Sequence, residues 1–244
     1  MLDLVGAILF TALAVVLVVT LVRASTLPGA QRSRLAVGLS TWFIVVAALA
    51  MAGVFSSPVL PVAFAVAIAL LIPVIVGSVI VARTNAFGIP LATLVAVHAG
   101  RILGVMFLML FAAGRLPSTF AHSAGWGDIF IGVTALPVAW AVARQVTGWR
   151  WITAIWNAIG MLDLLTAVTL GVGSAPGSLV RFIYEQPGSG AVVTLPLVLI
   201  PAFFVPLYLL THIAVFRRLA ISAHASESNP RAASGDSLRH LPAR

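Results

Sequence analysis

Seven long apolar runs, separated by short polar stretches, dominate the pattern along the chain. They cover approximately Leu4–Val22, Ala36–Phe55, Val62–Ala82, Leu91–Ala113, Trp126–Ala143, Trp151–Gly171 and Val193–Phe216. Each is close to the ~20 residues that a helix needs to cross a hydrocarbon core of ~30 Å. The runs are continuous rather than ten-residue alternations, so a membrane β-barrel is not expected. The pattern predicts an all-α fold, a polytopic membrane protein with a seven-transmembrane-helix bundle over residues 1–219. Residues 220–244, rich in Ser, Ala and Arg, read as a disordered cytoplasmic tail. The first run lacks a basic stretch before it and reads as an uncleaved helix with Asp3 outside.

Composition removes the alternative of a soluble core. Hydrophobic residues make up 61% of the chain and charged residues 8%, with a mean hydropathy of +1.13; a soluble domain carries roughly a quarter charged residues. The net charge of +8 comes from 14 arginines, since the chain has no lysine. Those arginines lie mostly between apolar runs, so they speak of topology rather than of nucleic acid. Arg23, Arg32, Arg34, Arg83, Arg144, Arg150, Arg217 and Arg218 fall at one end of the bundle, against Arg115 and Arg181 at the other. The arginine-rich side is expected in the cytoplasm, with the amino terminus outside and the carboxyl terminus inside. The bias to Ala, Val, Gly and Arg points to a multi-pass protein of a bacterial cytoplasmic (inner) membrane. Trp42, Trp149 and Trp151 are expected at the inner interface, Trp126 and Tyr184 at the outer one. In the outer loop of about Val172 to Ala191, residues 178–185 could form a short surface helix capped by Ser178, with Phe182 facing lipid; an ordered loop is the equal alternative.

The ionisable groups inside the membrane are confined to the later helices. The first three runs hold none in their cores. His98 and Arg101 are three apart and share a face of the fourth helix, about 10 and 15 Å from its inner end at 1.5 Å per residue. Asp163 in the sixth helix lies ~18 Å from its inner end, close to the level of Arg101. An Arg101–Asp163 ion pair is therefore the cheapest way to hold both. Asn157 shares the sixth helix. Pro196, Pro201 and Pro206 should break the seventh, and Tyr208 and His212 follow them on one face, His212 near the depth of His98. At the outer end, His122, Asp128, Arg181 and Glu185 form a second candidate group, an outer vestibule. The rival reading of Asp128 is a charge in the first turn of the fifth helix, where the helix dipole favours it.

These residues suggest a polar pocket between helices 4 and 7, opening toward the inner leaflet, that binds or relays a small ligand, an anion or a proton. Arg101 and Asp163 would be its centre, with His98, Asn157, Tyr208 and His212 around them. A b-type haem ligated by His98 and His212, with Arg101 at a propionate, is an alternative; otherwise no cofactor or metal is expected. A third reading is a structural or assembly subunit of a larger membrane complex, or a homo-oligomer, with membrane lipids as the common partner. No catalytic motif marks an enzyme: no H-E-x-x-H, no serine with a base and no carboxylate pair is evident. The absence of cysteine excludes disulfides, thiolate metal sites and cysteine nucleophiles. The helix count, the orientation and the proline-bearing seventh helix resemble those of the microbial rhodopsins. Their chromophore is attached through a lysine, which this chain lacks, and no residue role carries over.

Overall fold

In hydrocarbon every backbone N–H and C=O must be satisfied within its own segment, which leaves the helix as the form for each long apolar run. The computed structural model describes residues 1–56 and 62–227. Seven of its helices are long and apolar enough to span a membrane. They are α1 (Leu2–Ala24), α2 (Gly29–Met51), α3 (Val62–Arg83), α4 (Leu91–Ala112), α5 (Ser118–Arg144), α6 (Trp149–Ser174) and α7, which opens with a π-wound turn (Ile200–Phe204) and continues as Val205–Glu227. The expected all-α, seven-span architecture is therefore present.

Several boundaries differ from expectation. Helix α5 begins at Ser118, eight residues before Trp126, because Pro117 starts it with its fixed backbone angle. The expected seventh run loses its first turns. Pro196 and Pro201 have no N–H to donate, and residues 194–202 are held by turn bonds such as Val198 N–H to Thr194 O (2.9 Å) and Ile200 N–H to Leu197 O (2.9 Å). From Pro196 to Ala202 this irregular stretch is largely buried in protein, as broken backbone at membrane depth must be. The surface helix expected over residues 178–185 does not form. The N–H groups of Phe182 and Ile183 both donate to Gly173 O (2.9 Å each), which leaves no helical ladder, although Phe182 remains exposed. Helix α7 continues to Glu227, past the expected end of the bundle; residues 228–244 of the expected tail lie outside the described residues.

Helix α7 is the most enclosed span and forms the axis of the bundle. It packs against α3, α4 and α6, while α5 packs between α4 and α6. Helix α1 leans on α2 and α4 through a buried stripe of Gly6, Phe10, Ala14, Leu17 and Leu21. Helix α2 lies outermost, with Val46 its one fully buried residue. Trp42, expected at an interface, instead packs on Phe203 of α7 with ring centroids 4.8 Å apart. Helix α2 starts at Gly29, which places Trp42 about 20 Å along it.

The two ends of the bundle are tied by polar contacts. At the arginine-rich end, Arg217 donates to Ala82 O and Arg218 to Ile89 O (2.7 Å each), and Thr26 N–H donates to Phe87 O (3.2 Å). At the opposite end Arg115 pairs with Asp3 at 2.9 Å.

Candidate functional site

Helix α4 is not evenly wound. Leu91–Ala96 and Val105–Ala112 are α-helical, but Val97–Gly104 between them is a 3-10 helix. At about three residues per turn, side chains three apart eclipse. His98, Arg101 and Gly104 therefore stack along one line facing the core, and all three are buried, while Ile102 and Val105 face outward. This tighter turn aims an imidazole and a guanidinium in the same direction.

Arg101 is 3% exposed and reaches three helices. Its Nε–H donates to Asp128 Oδ1 of α5 at 2.6 Å, and an Nη2–H donates to Asp163 Oδ2 of α6 in a very short contact. The Nη1 group donates to Gly160 O of α6 (3.0 Å) and faces His212 Nε2 of α7 at 3.4 Å. The expected pair with Asp163 forms, but Asp128 joins it as a second carboxylate. With α5 starting at Ser118, Asp128 sits about 15 Å along the helix rather than in its first turn. The outer-vestibule and helix-dipole placements of Asp128 are both corrected by this.

The two histidines are fixed by hydrogen bonds that set their tautomers. Asn157 Nδ2 donates to His212 O (3.0 Å), which turns Asn157 Oδ1 to accept from His212 Nδ1–H (2.7 Å). His212 Nε2 is then a lone pair directed at Arg101. The Thr211 hydroxyl donates to Tyr208 O (2.8 Å), so it accepts from His98 Nε2–H (3.0 Å). Both imidazoles are neutral in this network. His98 Nδ1 and Tyr208 Oη are buried without a hydrogen-bond partner. The His98 ring stacks on Tyr208 (centroids 5.1 Å), meets Trp156 edge-on (5.5 Å) and touches His212 (4.1 Å).

This packing does not fit haem between His98 and His212. The rings are in contact with each other, and a porphyrin would have to lie between them. Each Nε2 also faces a protein partner rather than a shared space. With Asp163 in place, four of the five guanidinium N–H groups face acceptors.

Small residues allow the helices to come this close. A Cβ on Gly132 of α5 would lie 2.5 Å from the main-chain nitrogen of Ile102, and one on Gly127 would collide with the Asp163 carboxylate. The helix-facing sides of α4, α5 and α6 thus lack side-chain bulk where the ion cluster sits.

The six residues expected in the central pocket, His98, Arg101, Asn157, Asp163, Tyr208 and His212, come together. The outer group does not. His122 is exposed and packs on Phe111 (4.7 Å). Arg181 lies over Tyr184 (5.2 Å) and donates to Ile183 O (3.2 Å). Glu185 accepts from Thr119 N–H (3.0 Å) and from the Thr119 hydroxyl, closing the amino-terminal end of α5; these bonds hold its carboxyl below the usual carboxylate range. Asp128, Thr211, Trp156 and the Gly160 carbonyl were missed as partners in the sequence. The signal for Asp128 was present, since Pro117-Ser118 is a helix start that moves it into the span.

Among the described residues, no three His, Asp or Glu side chains converge as a metal site. No curated protein and no solved structure matches the chain. A family model, described as a domain of unknown function (DUF8737), matches residues 58–220, well over half of the chain and the whole of the site. The chain belongs to the DUF8737 family.

Proposed function

We propose that this protein binds and relays a proton at Asp128 and Asp163, in a bacterial cytoplasmic membrane whose inner face lies at the arginine-rich end. One observation carries the reading: a single buried guanidinium is shared by two carboxylates, beside two histidines whose hydrogen bonds each call for one ring proton. With both carboxylates ionised, the cluster holds one net negative charge. A charge at mid-bilayer costs at least ~2.5–3.5 kcal/mol. One proton on the pair removes it, so protonation is the event this cluster is built to register. Arg101 acts as the fixed cation between two exchangeable positions, and His212 and Asn157 hold its outer edge.

Asp128 is the point of entry in this reading. A cavity of about 60 Å³ runs from Asp128 and Phe107 to Ala175, Ser189 and Val192 at the arginine-poor end. A second of about 30 Å³ joins Asp128, Arg101 and Tyr208. A water molecule needs ~10–15 Å³, so each space admits water beside a carboxylate. This directs access to the arginine-poor end instead of the inner leaflet that the sequence suggested. The buried Tyr208 hydroxyl borders the inner space and is the group free to hydrogen-bond there.

The test is infrared difference spectroscopy of the protein in lipid nanodiscs across a pH series. A carbonyl stretch of a protonated carboxyl group should appear on acidification and vanish from Asp128→Asn or Asp163→Asn protein that still melts cooperatively. Spectra without any protonated-carboxyl change would overturn the reading and favour a purely structural ion cluster.

A further inference from the structure

A cavity lies away from the ion cluster, between α2, α3 and α7 in the arginine-rich half of the bundle. It has a volume of about 780 Å³, within the ~300–1,000 Å³ typical of ligand sites. Its walls are almost wholly carbon, from residues such as Leu39, Val76 and Leu210. Its rim is polar: Gln31 and Arg34 on α2, with Thr84 just past the end of α3. Trp42, Ile72 and Pro73 close the deep end. From Thr84 to Ile72 the groove follows α3 for about 18 Å. Half of a ~30 Å hydrocarbon core is ~15 Å, so the groove is about one leaflet long.

The charge at the rim is unbalanced. Arg34 is exposed, with no ion-pair or hydrogen-bond partner among the described residues. The acidic side chains that the structure describes, Asp3, Asp128, Asp163 and Glu185, lie in the core or at the opposite end. A slot of leaflet length, apolar inside and cationic at its mouth, has the chemistry of one amphiphile. The geometry points to an anionic phospholipid, with its phosphate at Arg34 and Gln31 and one acyl chain between α2 and α3. The chain would end against Trp42 and would pass Thr211, the hydroxyl that holds His98. This assignment stands on the groove alone and does not depend on protonation of the carboxylates.

The experiment is native mass spectrometry of the protein released from nanodiscs of mixed phosphatidylglycerol and phosphatidylcholine. Phosphatidylglycerol should be retained in preference to phosphatidylcholine. Arg34→Ala should lower that preference by roughly fivefold, the factor expected of one arginine near an anionic surface. Gly38 supplies the second variant. It lines the groove, and a Cβ there meets nothing within 4 Å, so Gly38→Trp starts its side chain in open space beside the groove. That variant should melt like the parent and lose the bound lipid. Equal retention of the two lipids by the parent protein, or undiminished retention by Gly38→Trp, would overturn the assignment.

Discussion

Arg101 is enclosed so fully that its removal leaves two carboxylates in hydrocarbon with no cation beside them. Breaking a buried pair in this way costs about 3–5 kcal/mol, whereas exchanging the whole set for apolar residues is often neutral or stabilising. Arg101→Ala should therefore lower the detergent melting temperature more than the triple change Arg101→Leu, Asp128→Leu and Asp163→Leu. The double change of Arg101 and Asp163 alone should recover less than the triple, because Asp128 then stays in hydrocarbon only by keeping a proton. Equal recovery by the double would show that Asp128 carries no charge in the folded protein. The sequence showed Arg101 and Asp163 at one depth, which was enough to pair them. It hid Asp128, because the pairing depends on where α5 begins, and a charge near Gly125-Trp126-Gly127 looks like a helix start when only apolar length is counted.

At the level of elements, the winding of α4 and the bareness of α5 decide the site together. The 3-10 segment stacks His98 over Arg101, and Gly132 lets α5 lie against the main chain just beyond it. Gly132→Ala should force the two helices apart and cost about 1–3 kcal/mol, the range for an overpacked interior. Gly38→Ala, in open space, should be close to neutral in the same melt. An equal effect of the two substitutions would remove the argument for close contact at Gly132. The sequence contained the prolines that break the start of α7, and the expected break is there. It contained no pattern for the switch of α4 from α to 3-10 winding, since neighbours on α5 and α6 hold that turn through Arg101.

At the level of the whole molecule, orientation ties these parts to a membrane. By the positive-inside rule the proposed lipid groove is expected in the cytoplasmic leaflet and the cavity above Asp128 toward the outside. The chain has no cysteine, so single cysteines can report this without background. In intact bacterial cells a membrane-impermeant maleimide should label Leu179→Cys in the loop after α6. Ser33→Cys near the start of α2 should react after the cells are permeabilised. The reverse pattern would invert the bundle and, with it, the proposed direction of proton entry.

The apolar runs by themselves determined the helix number, the membrane setting and the half of the chain where ionisable groups must meet, because burial in hydrocarbon leaves few choices for backbone and charge. They also placed His98, Arg101, Asp163 and His212 at compatible depths, since depth along a helix follows from residue count. Azimuth does not follow from count. Which side chains face each other depends on where each helix starts, how tightly it winds and how closely glycine lets its neighbour approach. Packing set those three quantities, and through them the second carboxylate, the contact of the two imidazoles that leaves no gap for a porphyrin, and the groove between α2 and α3.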